Sequence, residues 1–320
     1  MLELAGAARP GQQEPNVLLA AVHFLLLGGA RHPLSSFYPS LTATPELEQD
    51  PYPAFRAFCL EHRAALVKLI STRLVQTNEI GRSAGLLPAL GQIATMVDGG
   101  PLFLVEIGAS AGLNLLFDRY AYDYGAGHFV GRRDSRVVIR CRVQGAYGPP
   151  LPGAFPSIGG RVGIDLKPLD ARHPDDVLWL RALVWPEHSE RAAMLERALA
   201  IAAVEPPPII RADALDALPN VLSGVSRDVT PVIVHAATLA HFTAAARQRF
   251  TALLFELAGA RTLFQLSMER DAVEPYEDMR FVVRVSRLTG GERHDRTLAM
   301  LHPHGRWIEW VEAASAVRDT

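Results

Sequence analysis

The run Glu106-Ile107-Gly108-Ala109-Ser110-Ala111-Gly112-Leu113-Asn114 concentrates the residues most able to do chemistry. Apolar residues from Leu102 lead into the acid Glu106, a glycine-rich turn follows, and an apolar helical pattern starts at Leu113. Such a pattern reads as a buried parallel strand feeding a tight turn into a helix N-terminus. The turn gathers backbone N–H groups at one point, and the helix dipole adds positive potential there. In a doubly wound sheet this is where a nucleotide-like cofactor is held. Glu106, Gly108, Ala109, Ser110, Gly112 and Asn114 are therefore candidate cofactor-binding residues.

Four further apolar segments end in a polar residue: Arg161 to Asp165, Ile209 to Asp213, Pro231 to His235 and Arg261 to Glu269. The C-terminal ends of strands in an open parallel sheet line its binding crevice. Acids after the first three strands, Glu106, Asp165 and Asp213 with the apolar Ala214 beside it, suit a ligand with a ribose, an amino group and an adenine edge. His235 and Glu269, after the last two, are candidate catalytic residues that would take a proton from a hydroxyl or amine. Asn78, Glu79 and Arg82 interrupt two apolar helical segments and are candidate substrate-binding residues. His302 and His304 lack a third ligand nearby in sequence, so no metal site is expected. Trp185, before Pro186, is expected in the core.

These residues need a scaffold, and the periodicities supply one. Residues 1–15 read as a frayed lead-in. Helical patterns over 16–27, 54–77 and 84–96 predict a helical cap spanning residues 1–98. Residues 99–320 alternate strands and helices, with a helix expected from 112 to 120 and an inserted β-hairpin or β-rich lid at about 128–160. Strand-like runs at 281–288, 297–302 and 306–311 close the chain. The expected fold is α/β, a doubly wound, mainly parallel sheet with an antiparallel terminal strand, preceded by the helical cap.

Composition narrows the classes of function. Of 320 residues 49% are hydrophobic and 21% charged, enough for a sizeable core, and the formal net charge of −2 offers no basic excess for nucleic acid. Lysine occurs only at Lys68 and Lys167, and the only cysteines, Cys59 and Cys141, form no metal or disulfide framework. No signal-like segment or membrane-length apolar run is found, so the expectation is a cytoplasmic protein acting on a small molecule, without nucleic-acid or membrane partners.

Glu106-x-Gly108-x-Ser110-x-Gly112 resembles the first motif of class I methyltransferases, with Ser110 at the usual middle glycine. That resemblance implies S-adenosylmethionine as cofactor, with Asp165 toward the ribose hydroxyls and Asp213-Ala214 beside the adenine. Gln76-Thr77-Asn78-Glu79, Arg82, the segment Glu106 to Leu115, Gly163-Ile164-Asp165, Val184-Trp185-Pro186 and His304-Gly305-Arg306-Trp307 together resemble the bacterial DUF2332 family, which implies a methyltransferase-like fold but no established activity. Gly108-Ala109-Ser110-Ala111-Gly112 also fits the G-x-S-x-G elbow of a serine hydrolase, with Ser110 as nucleophile, Asp213 or Asp228 as acid and His302 as base. Against that reading, no strand precedes residue 102 and the HGGG-type oxyanion loop is missing. A third reading is a non-catalytic Rossmann-like ligand-binding protein.

Overall fold

The computed structural model describes residues 4, 6–9, 12–270 and 279–311, so the expected lead-in lies partly outside the described residues. The chain divides into two compact units, Met1–Thr77 with Leu169–Ala203, and Asn78–Pro168 with Val204–Thr320.

Helices make up the first unit: Glu14–Leu27, Tyr52–Glu61, Arg63–Thr72, Pro174–Ala182 and Ser189–Val204, the last ending at the unit boundary. Glu14–Leu27 carries a proline in its first turn and stops at Gly28-Gly29, where Gly29 turns to φ +96°. His23 is buried on this helix and bonds Ala182 O at 3.1 Å and Ser40 Oγ at 2.8 Å. The single helix expected over 54–77 is broken in two at His62 (φ −100°, ψ 21°), whose ring lies 4.3 Å from that of Phe58. Trp179 is fully buried and donates to Leu74 O at 2.9 Å, whereas Trp185, expected in the core, is 47% exposed.

Twelve strands are described in the second unit: β1 (Leu102–Ile107), β2 (Ala121–Asp123), β3 (Phe129–Val130), β4 (Val138–Arg140), β5 (Arg142–Gln144), β6 (Ile158–Asp165), β7 (Ile209–Arg211), β8 (Thr230–Ala236), β9 (Leu263–Arg270), β10 (Phe281–Thr289), β11 (Glu292–Leu301) and β12 (Trp307–Trp310). Nine form one sheet in the order β5-β12-β11-β10-β9-β8-β1-β6-β7. From β7 through β9 the pairs are parallel, and β10, β11 and β12 continue as an antiparallel meander. The chain grows outward from β1 in both directions, first through β6 and β7, then through β8 and β9. The molecule is thus a mixed α/β protein with a large, mostly parallel sheet, and among the described residues no helix is long and apolar enough to cross a membrane.

Side chains alternate across the sheet, so neighbouring residues of a strand serve opposite layers. Val105, Ile107, Ile164, Ile233 and Leu263 share a core with Leu218 of helix Ala214–Ser223 and Phe250 and Leu254 of helix Ala244–Ala258. Met268, Val283 and Leu301 point the other way and meet helix Ser83–Met96, so close at Gly85 that a Cβ there would lie 2.9 Å from Leu301 Cδ2. This burial against strands far away in sequence draws residues 78–98 into the second unit, across the boundary expected at residue 98, while residues 169–203 join the helical unit.

Two local expectations change. The residues expected as a β-rich insertion divide between sheets: β3 and β4 flank β2 in a small three-stranded sheet, and β5 joins the large sheet beside β12. In place of the helix expected from 112 to 120, Leu113–Arg119 forms 3-10 turns kinked at Leu116. The Tyr120 and Tyr122 hydroxyls donate to Leu113 O and Phe117 O, both at 2.7 Å.

Candidate functional site

The glycine turn after β1 is built for close approach. Gly108, Ser110 and Gly112 have φ of +72°, +55° and +71°. A Cβ on Gly108 would lie 2.7 Å from Thr238 Oγ1, and one on Gly112 would lie 2.5 Å from Pro207 Cγ. Ser110 takes the left-handed conformation that normally favours glycine, at a cost of about 1–2 kcal/mol. The sequence reading expected bare N–H groups here, and the structure differs. Gly108 N donates to Ile164 O (2.8 Å), Ser110 N to Asp165 Oδ2 (2.8 Å) and Gly112 N to Ala109 O (2.7 Å). Ala111 N and Leu113 N both donate to Asn78 Oδ1, at 3.2 and 3.0 Å. The seven-residue 3-10 segment that follows also has no long helix dipole to lend.

Glu106 points to the face of the sheet opposite Val105 and Ile107 and is only 3% exposed. Its Oε1 accepts from Asn114 Nδ2 at 3.1 Å, and Asn114 Oδ1 accepts from Ser83 Oγ at 3.2 Å. Glu106 Oε2 is buried without a hydrogen-bond partner among the described residues. Burial pushes this carboxyl up to about 8; the Asn114 bond pulls it down, nearby Asp165 pushes it up, and Arg82 pulls it down. Asp165, at the end of the neighbouring strand, is also buried and binds the Ser110 and Lys167 backbone N–H groups, both at 2.8 Å. Asp213 is exposed and caps helix Ala214–Ser223 through Leu215 N at 2.8 Å, with Ala214 buried behind it.

The segment expected to bind substrate is buried and tied down along its length. Asn78 holds the glycine turn, as above. Glu79 Oε1 accepts from Gly81 N at 3.2 Å, and Oε2 lies 3.0 Å from His304 Nδ1. Arg82 donates to Pro303 O (3.0 Å) and Ala236 O (3.2 Å), with its guanidinium 5.1 Å from the Phe281 ring centroid.

His235 and Glu269 meet, but on the other side of the sheet. His235 aligns with Ile107, is wholly buried, and packs edge-on against Phe250 at 5.9 Å between centroids. Its Nδ1 lies 2.7 Å from Glu269 Oε1 and its Nε2 lies 2.8 Å from Gln265 Nε2. Glu269 Oε1 also accepts from Thr238 N and Leu239 N at 3.0 and 3.1 Å. With both ring nitrogens engaged, His235 has no lone pair to offer a substrate; the pair fixes the loop after β8.

His304, in sequence only half of an incomplete metal pair, has its partner Glu79 225 positions away, so no local signal marks the two as a pair. Among the described residues no group of three or more His, Cys, Asp or Glu could hold a metal ion. Of the acids named for a hydrolase triad, Asp213 caps helix Ala214–Ser223 and the exposed Asp228 accepts from Ser226 Oγ.

No curated protein sequence matches this chain. A family model described as an uncharacterized protein conserved in bacteria matches residues 1–310, and on that nearly full-length match the chain belongs to the DUF2332 family.

Proposed function

We propose that this protein binds S-adenosylmethionine at the C-terminal edge of β1, β6 and β7 and methylates a small molecule carrying a hydroxyl or amine, on a doubly wound, methyltransferase-type sheet. The observation that carries the reading is the meeting of Glu106, the glycine turn and Asp165 where the sheet order reverses at β1. Crevices of open parallel sheets form at such reversals. The donor set fits the cofactor's chemistry. Glu106 Oε2 is a buried carboxyl oxygen without a partner among the described residues; an ammonium group arriving beside it would favour loss of the carboxyl proton and pair with the carboxylate. Asp165, which accepts the Ser110 and Lys167 backbone N–H groups, stands beside it at the end of β6, where a ribose hydroxyl would lie.

The cofactor would supply an electrophilic methyl group. The chain's own contribution is positioning: the turn is locked by Asn78 and Asp165, so the two carboxyls are held before any ligand arrives. Because the turn's N–H groups are already bonded within the chain, recognition falls to the carboxyl oxygens. Isothermal calorimetry with S-adenosylmethionine tests this directly. Binding to the wild type that weakens at least tenfold in Asp165→Ala is expected; no binding to the wild type, or equal binding to both, refutes it.

A further inference from the structure

The Glu79–His304 pair has the arrangement of an oriented base. Glu79 is nearly sealed, its side chain 4% exposed, whereas the His304 side chain is 33% exposed. Glu79 Oε2 holds Nδ1 at 3.0 Å, and among the described residues Nε2 has no hydrogen-bond partner. A buried carboxylate that accepts from Nδ1 fixes the ring and its tautomer, and leaves the Nε2 lone pair as the ring's acceptor. His235 provides the contrast within the same unit, since its carboxylate partner is present but its second nitrogen is consumed by Gln265.

The location of His304 matters as much as its partner. β11 runs parallel to β9 because both pair antiparallel with β10. Leu301, the last residue of β11, aligns with Phe281, and Phe281 aligns with Arg270, the last residue of β9. The turn that carries His304 therefore lies at the same edge of the sheet as the ends of β1, β8 and β9. Arg82 ties that turn to the end of β8 by bonding Pro303 O and Ala236 O. Asn78, four residues earlier in the same segment, grips the glycine turn. The short stretch 78–82 thus links the end of β1 to His304. Backbone contact makes the link stiff: at Gly305 (φ +68°) a Cβ would collide with the Gly81 carbonyl, and at Gly81 one would collide with His304 O.

We propose that His304 is a general base, positioned by Glu79, for a substrate bound at this edge of the sheet. The identity of that substrate, a hydroxyl- or amine-bearing methyl acceptor, rests on the function proposed above. In the step, the acceptor's O–H or N–H bond breaks, its electron pair stays on the heteroatom, and the proton moves to His304 Nε2. The imidazolium that forms is balanced by the Glu79 carboxylate, and water takes the proton afterwards.

Nitrogen-15 NMR of the histidine side chains in the full-length protein reads the dyad without any ligand. In the wild type the neutral His304 ring is expected to carry its proton on Nδ1, with Nε2 bare. Glu79→Ala, which removes the acceptor, shifts the ring toward the Nε2–H form. An Nε2–H ring in the wild type overturns the proposal, and this holds whether or not the variant folds. The second arm measures S-adenosylhomocysteine formation with a panel of small alcohols, phenols and amines. His304→Gln is expected to lower kcat by about 10²–10⁴-fold with S-adenosylmethionine affinity unchanged in calorimetry; an unchanged kcat overturns the base. If the cofactor fails to bind while the nitrogen spectrum shows the Nδ1–H ring, the methyltransferase reading falls and the dyad stands.

Discussion

Glu106→Gln isolates the protonation of one buried carboxyl. Burial raises the folded Glu106 from 4.5 to about 8, and the Asn114 bond only partly opposes this. In the unfolded chain the carboxyl has lost its proton by pH 6, whereas in the folded chain it keeps it. The folded state therefore binds more protons between those two values, and stability falls as pH rises through that window. The contribution is fully present below about 4.5 and fully lost above about 8. At about 1.4 kcal/mol per pH unit, the full span comes to an upper limit of about 5 kcal/mol. Glutamine keeps an oxygen for Asn114 Nδ2 and cannot ionise, so it lacks this slope. Urea unfolding of wild type and Glu106→Gln at pH 5, 6, 7 and 8 gives the difference in stability, in which other groups largely cancel. The wild type is expected to lose several kcal/mol relative to the variant from pH 5 to pH 8, with the variant the more stable at pH 8. A difference that stays flat across the series would show that Glu106 is ionised when folded, and would refute the argument from burial.

Two predictions concern the backbone that holds the site. Asn78→Ala orphans the Ala111 and Leu113 N–H groups, which should cost about 2–4 kcal/mol and speed hydrogen exchange at those two amides; unchanged exchange would mean that another acceptor serves the turn. Gly305→Ala drives a methyl group into the Gly81 backbone and should cost upwards of about 3 kcal/mol, measured by thermal unfolding. Gly290→Ala, at φ +56° with open space around it, serves as the comparison and should cost only about 1–2 kcal/mol; equal losses would indicate that conformation, not collision, decides both.

Much of the strand pattern was legible in the sequence because buried parallel strands are short apolar runs closed by a polar residue. The segments ending at Glu106, Asp165, Asp213, His235 and Glu269 supply the five parallel strands of the large sheet or their immediate ends. The glycines at 108 and 112 were legible too, since a turn that close to Thr238 and Pro207 has no room for a side chain. What local periodicity misses is pairing with groups outside the segment. The apolar pattern of Leu113–Arg119 suits a helix, yet the segment forms 3-10 turns kinked at Leu116. Residues 128–160 were not separable from their partners, because β4 needs β2 and β5 needs β12.

The candidate site divides along the same line. Which residue types stand at the strand ends, and where the glycines fall in the turn, can be read along the chain, because both show as residue type and spacing. Tertiary structure alone decided what each polar group has left to offer. Asn78 closes the N–H groups that the turn had promised, and Gln265 consumes the second nitrogen of His235. Glu79 reaches across 225 positions to His304, whose other ring nitrogen has no partner among the described residues. A side chain's chemistry depends on the hydrogen bonds it does not already make, and those partners are fixed by packing rather than by neighbours in the chain.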